Sequence, residues 1–220
     1  MDGKLIVFEG VEGAGKTTQM QRLIHWLQAS CFLSTSLVAT REPGGTELGK
    51  GLRRLLLDQG EGELVSDRAE LLMYAADRTQ HVETFLKPQL ALGTMVLCDR
   101  FTDSTIAYQG YGRGLDLDLI QQLNAIATGG LQSDLTFWLD INVEVGLARV
   151  RARGECDRIE QADVEFHRRV QQGFAELARQ NPDRIIPINA DRTEDEVAQE
   201  IQAILSRSLA AWGYGKSSES

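Results

Sequence analysis

The chain has 220 residues, 42% of them hydrophobic and 25% charged, which excludes a disordered polymer and fits one domain with a sizeable core. Its net charge of −9 argues against general affinity for nucleic acid or anionic membranes while leaving room for a local basic site. No apolar run approaches the ~18 residues of a membrane span, and the start, Met1-Asp2-Gly3-Lys4, lacks the shape of a signal peptide. Cys31, Cys98 and Cys156 stand far apart without a CxxC spacing, as suits reduced thiols in a cytoplasmic protein. His25, His81 and His167 are equally isolated, which favours surface or core roles over a zinc site.

Lys4 to Glu9 is a short apolar run that reads as a buried strand. Residues 17–29 carry Met20, Leu23, Ile24 and Leu27 at helical spacing. A second strand is expected over 37–40, a helix over 46–57 and a Gly/Glu-rich break over 58–63. One or two helices follow over 66–92, with Pro88 at a helix start or kink. A third strand spans 94–99, helices 101–109 and 116–128, and a fourth strand 135–140. Helices over 143–152 and 163–180 flank a charged segment, before a fifth strand at 184–188 and an amphipathic helix over 193–211. Strands alternating with helices imply an α/β fold: a doubly wound, parallel, five-stranded sheet with helices on both faces. No linker divides it, so residues 1–212 read as a single domain and 213–220 as a flexible tail.

Gly10-Val11-Glu12-Gly13-Ala14-Gly15-Lys16-Thr17 matches G-x-x-x-x-G-K-[ST] between a strand and a helix, the context a phosphate-binding loop requires. Its glycines let backbone amides turn inward, the helix offers its positive end, Lys16 adds a mobile charge, and the Thr17 hydroxyl suits Mg²⁺. Asp99 ends an apolar strand, where a carboxylate organising Mg²⁺ belongs, and Arg100 follows it at the ligand-binding edge of the sheet. No Asn-Lys-x-Asp guanine-reading motif is present, which disfavours a GTPase switch.

Further blocks make the sequence resemble the bacterial thymidylate kinases, of the nucleoside-monophosphate kinase group, from Lys4 to about Leu209. They are the loop with Phe8, Glu9 and Thr18, Thr40-Arg41-Glu42-Pro43-Gly44-Gly45, Asp99-Arg100, Ala107-Tyr108-Gln109-Gly110, Ser133-Asp134-Leu135-Thr136, and Arg151-Ala152-Arg153-Gly154-Glu155 with Asp157-Arg158-Ile159-Glu160. The resemblance implies transfer of the ATP γ-phosphoryl group to dTMP, giving dTDP and ADP, with Mg²⁺. It also implies a homodimer, for which an apolar helix near 101–128 is a candidate surface.

On the acceptor side, Pro43 and Gly44-Gly45 shape a tight loop presenting Arg41 and Glu42, which the family uses to line the monophosphate site. Arg53 and Arg54 are helix neighbours that do not share a face, and only the family match selects Arg53 for the acceptor phosphate. Tyr74 and Arg78, four apart, share a helix face. By resemblance the ring stacks on thymine and the guanidinium reaches its carbonyl. Thr105 and Gln109 are expected near the pyrimidine, with Tyr108 crowding the sugar 2′ position. Phe101 stands where Tyr or His commonly follows the Asp-Arg pair.

A lid is expected over 149–160, where Arg149, Arg151, Arg153 and Arg158 are dense for so acidic a chain. Glu12 occupies the position where one branch of the family carries an arginine in the phosphate loop. The chain therefore resembles the other branch, whose lid supplies the catalytic arginine, here Arg153. Glu12 is then expected toward the acceptor sugar, Arg149 on adenine, and Asn189-Ala190-Asp191 beside the adenine edge. Catalysis would be alignment and charge compensation by Lys16, Arg100 and Arg153. Two alternatives are another monophosphate kinase, and a P-loop switch that binds a protein partner and no small acceptor.

Overall fold

The structure, a computed structural model, describes residues 2–30, 36–58, 65–154 and 157–214. Cys31, Cys156 and Glu155, and most of the expected break at 58–63, lie outside them. Strands β1 (Lys4–Glu9), β2 (Leu37–Arg41), β3 (Met95–Asp99), β4 (Leu135–Asp140) and β5 (Ile185–Asn189) form one parallel sheet in the order β2-β3-β1-β4-β5. The three inner strands are near-continuous apolar runs because helices cover both faces. Alternate residues of β1 feed two cores: Ile6 and Phe8 join Leu97, Phe137 and Leu139 on one face, while Leu5 and Val7 join Val96 and Cys98 on the other. Pro187 sits in β5, an edge strand, where its missing N–H breaks no inner ladder.

The helices are α1 (Lys16–Ala29), α2 (Glu47–Leu57), α3 (Asp67–His81), α4 (Lys87–Ala91), α5 (Thr102–Thr105), α6 (Leu117–Thr128), α7 (Val143–Arg153), α8 (Val164–Gln180) and α9 (Glu194–Ala211). Most starts are explained by a cap. Thr46 accepts from Gly49 N–H, Asp116 from Leu119, Asp163 from Phe166, and Thr193 forms a reciprocal capping box with Glu196. The stretch expected as one or two helices over 66–92 is nearly continuous, joined by a wide π-type turn at Val82–Leu86 in which Lys87 N–H reaches Val82 O. Pro88, lacking an N–H and crowding the carbonyl four residues back, accounts for the shift in the ladder. A second π-type segment, Ile106–Gly112, extends α5 beyond the expected end at 109.

The boundary near the carboxyl terminus differs from expectation. Tyr214 is buried, and its hydroxyl donates to Asp2 O at 3.2 Å, so the packed chain passes the expected boundary at 212. Residues 215–220 lie outside the described part. Among the described residues no helix is long and apolar enough to cross a membrane.

Because β1 lies between β3 and β4, the chain leaves β1 for one side of the sheet and later crosses to the other. The carboxyl ends of β1 and β3 therefore flank a switch point, where ligands of open α/β sheets bind. Glu9, Arg41 and Asp99 end their strands there.

Candidate active site

A cleft of about 930 Å³ runs along this edge, lined by residues from the phosphate loop, the ends of β2 and β3, α2, α3 and α7. At its phosphate-loop end α1 begins at Lys16 with no side-chain cap and no acidic residue in its first turn. Its first amides and positive dipole end are left for an anion. Glu12, Gly13, Ala14, Gly15, Thr17 and Thr18 line the cleft with Lys16. Gly10 and Val11 act from behind: their carbonyls each accept from Lys16 Nζ at 3.0 Å. Burial and nearby Arg100 hold the Lys16 pKa below its ordinary value. Gly13 packs so tightly on Gly146 of α7 that a Cβ on either would meet the other strand of backbone, at 2.1 Å from Gly146 O or 2.5 Å from Glu12 O.

Thr17 Oγ1 donates to Asp99 Oδ2 at 3.4 Å, and the buried Asp99 Oδ1 has no hydrogen-bond partner among the described residues. A hydroxyl beside an unsatisfied carboxylate oxygen, next to the phosphate loop, is a donor set that fits Mg²⁺.

Arg100 stands between the two ends of the cleft. Its φ of 71° is left-handed, a conformation a non-glycine residue holds only where its surroundings enforce it. The guanidinium donates to Gly10 O and Ser104 Oγ at 3.1 Å each and to Glu12 Oε1 at 2.5 Å, with Tyr108 lying 4.9 Å beneath it. Tyr108 also donates to Glu12 Oε1 at 2.9 Å. Burial alone would raise the Glu12 pKa, but Arg100, Lys16 and the Tyr108 bond outweigh it and bring it down to about 2. Fully buried Glu9 accepts from Phe101 N–H, Ser104 N–H and Ser104 Oγ, so it fixes the turn carrying Arg100. Desolvation pushes its pKa up to about 7.

Arg41 projects into the cleft, half-exposed and 3.8 Å from Asp99. Arg53 also lines it, held by a 3.0 Å bond to Pro43 O. Contrary to the expectation that it faces elsewhere, Arg54 lines the cleft too, because the cleft wraps the end of α2 more widely than one helical face. Glu42 borders the cleft but is buried, its carboxylate committed to Arg78 Nε (2.8 Å) and His81 Nδ1 (2.9 Å). Its task in the protein is to hold Arg78. Arg78 also donates to Thr105 Oγ1, Asn124 Oδ1 and Phe101 O. Four of its five N–H donors are thus engaged within the protein. Phe101 packs beside it, 5.6 Å from the guanidinium. Tyr74 lines the same end, with no protein partner for its hydroxyl among the described residues. Burial, then Glu70, raise its pKa, so it stays a neutral ring. Thr105, Tyr108 and Gln109 complete this wall.

Arg149 and Arg153 both reach the cleft from α7. Arg149 lies 3.5 Å from Gly13 O, and Arg153, largely exposed, pairs with Glu160. Arg158 points away, into a cluster around Glu70. Ala190 lines the cleft, as do Arg192, Glu194 and Val197. Those three fall in an unremarkable polar helix start, without a motif to single them out. Glu9 and His81 were also missed. A carboxylate closing an apolar strand, and a histidine one helical turn past Arg78, were the available signals.

A parallel sheet with a phosphate loop at its switch point and a second, arginine-lined wall facing that loop defines a P-loop kinase. A family model described as thymidylate kinase matches residues 8–201. The chain belongs to the thymidylate kinase family. It is 59% identical over 225 residues to the thymidylate kinase of Trichodesmium erythraeum, covering 97% of this chain and 100% of that one. It is 63% identical over 206 residues to that of Nostoc punctiforme, covering 93% and 96%. The crystal structure of thymidylate kinase from Ehrlichia chaffeensis superposes with a TM-score of 0.75 at 36% identity, covering 93% of this chain and 99% of that one.

Proposed function

We propose that the cleft seats ATP and dTMP with their phosphates meeting at Arg100. As a member of its family the chain is a dTMP kinase, with ATP as phosphoryl donor and dTDP and ADP as products. One observation carries the assignment of the two ends. The phosphate loop and the Tyr74–Arg78 wall face one cleft, and Arg100 touches the loop itself.

The acceptor is an anion, so its oxygen needs alignment rather than a strong base. Tyr74 stacks the base, and the fifth N–H of Arg78 meets a ring carbonyl. Thr105 and Gln109 bound the pyrimidine, and Tyr108 crowds the sugar 2′ position. Glu12, kept ionised, accepts from a sugar hydroxyl beside it. Arg41, Arg53 and Arg100 receive the monophosphate. On the donor side the amides of residues 13–18 and Lys16 take the outer phosphates of ATP, and Arg149 covers adenine. Arg153 exchanges Glu160 for the transferring oxygens, and lid closure excludes water. Mg²⁺, held through Thr17 and Asp99, supplies charge neutralisation on the donor phosphates when bound.

The same reading treats the chain through Tyr214 as one kinase domain with its lid over 149–160, working in the cytoplasm where both nucleotides are available. A homodimer is supported by exposed Leu72 of α3 and Leu119 and Ile126 of α6, on two helices packed together. The deciding assay follows label from γ-labelled ATP into a panel of monophosphates. dTMP should be the preferred acceptor, and ATP turnover unaffected by any monophosphate would favour a P-loop switch instead.

A further inference from the structure

Glu70 is a fully buried carboxylate on α3, one turn before Tyr74, and no step described above uses it. Its Oε1 accepts from Gln109 Nε2 at 2.8 Å and Arg113 Nε at 3.3 Å. Its Oε2 accepts from Arg113 Nη2 at 3.2 Å and Arg158 Nη2 at 2.5 Å. Desolvation would raise its pKa, but the bonds from Gln109 and Arg158 and the charge of Arg113 bring it below the ordinary value, so it is an anion.

The donors come from two different parts of the molecule. Gln109 belongs to the wall that faces the acceptor base, whereas Arg158 lies at the far root of the lid, five residues past Arg153. Arg158 is itself anchored to the end of α2, through Nε to Leu56 O at 2.9 Å and its amide to Leu57 O at 3.2 Å. Between Arg153 and Arg158, Asp157 Oδ1 caps Ile159 and Glu160 N–H, and Glu160 in turn pairs with Arg153. One carboxylate therefore joins the base wall to the root of the segment that carries the candidate catalytic arginine.

We propose that Glu70 is a positioning residue that couples acceptor binding to the lid. Seating of the base fixes Gln109, which holds the Glu70 carboxylate, which holds Arg158 and the turn at residues 157–160. A buried anion with three donors is stiff, because releasing any one leaves charge unpaired in a dry site. An acceptor in place therefore favours the lid arrangement that closes on ATP, and by linkage ATP favours the acceptor equally. The proposal rests on the assignment of the Tyr74–Gln109 wall to the acceptor base.

The test uses the full chain with Mg²⁺ and a non-hydrolysable imido analogue of ATP, titrated calorimetrically with and without saturating dTMP. In the wild type dTMP should tighten the analogue by about tenfold, within the usual range of coupling between sites. In Glu70→Gln the analogue alone should bind within about threefold of wild type, while the tightening falls below about twofold. A role confined to stability would lower the melting temperature and leave that ratio intact. Arg158→Gln, whose side chain is 21% exposed, cuts the bridge from the lid side and decides the matter if the Glu70 variant does not fold. Wild-type tightening retained in a folded variant, or no tightening in the wild type, overturns the proposal. The acceptor assignment is checked separately by Tyr74→Ala: undiminished dTMP affinity there would sink that assignment, whatever the coupling shows.

Discussion

Glu42 and Arg78 form a buried ion pair, Oε2 to Nε at 2.8 Å, and the other carboxylate oxygen is held by His81, whose Nε2 lies 2.7 Å from Thr40 Oγ1. Arg78 thus owes its direction to a relay from the end of β2 through α3. Breaking a buried pair costs about 3–5 kcal/mol. Because Arg78 keeps three other acceptors, Glu42→Gln should lose less. Thermal unfolding and dTMP titration should show a lower melting temperature and a dTMP KM raised roughly tenfold, about 1.4 kcal/mol of binding. An unchanged KM would remove Glu42 from the path to the base.

Arg153→Ala should lower kcat by about 10²–10³ while dTMP Kd stays within about twofold, since a donor aimed at charge that develops during transfer acts on the transition state. Single-turnover kinetics with equilibrium dTMP binding separates the two. Equal losses in both would make Arg153 a binding group.

Glu9 gives the ligand-free protein a pH signature. Its folded pKa, about 7, lies above the ordinary 4.5, so between these values the native state holds a proton that the unfolded chain has released. Stability from this group therefore falls as pH rises from 4.5 to 7, by roughly 3 kcal/mol at the outside. Glu12, pulled down to about 2, acts oppositely and at lower pH: its contribution is present above 4.5 and lost as pH falls toward 2. Denaturant unfolding at pH 5 and pH 8 should show a smaller loss in Glu9→Gln than in the wild type. Parallel losses in the two proteins would remove Glu9 as the source.

Ile126, exposed on α6, tests assembly. Ile126→Glu should convert a dimer to a monomer in sedimentation velocity, with the fold retained by circular dichroism, because a charge desolvated at an interface costs several kcal/mol. An unchanged sedimentation coefficient would place the interface elsewhere.

The elements were largely legible in the sequence because their signals are local. The inner strands are unbroken apolar runs, and Thr46, Asp116, Asp163 and Thr193 announce helix starts. The phosphate loop is contiguous and carries its own motif. Pairings between distant segments were not legible. Nothing in the order of residues says that Glu42 spends its carboxylate on Arg78, or that Arg158 turns from the cleft to Glu70, since both depend on which helices pack together. Arg54 shows the same limit: helical spacing fixes the angle between neighbours, but the breadth of the cavity decides whether both meet it.

The contact of Gly13 with Gly146 bears on how the proposed lid travels. Main chain lies against main chain there, at the first turn of the helix that bears Arg149 and Arg153. That end of the helix is clamped to the cradle, so a swing of the helix pivots about this first turn. Arg149 then travels little and Arg153 most. A single methyl group at position 146 would pry the cradle from the lever, blunting ATP capture without touching any atom of the nucleotide.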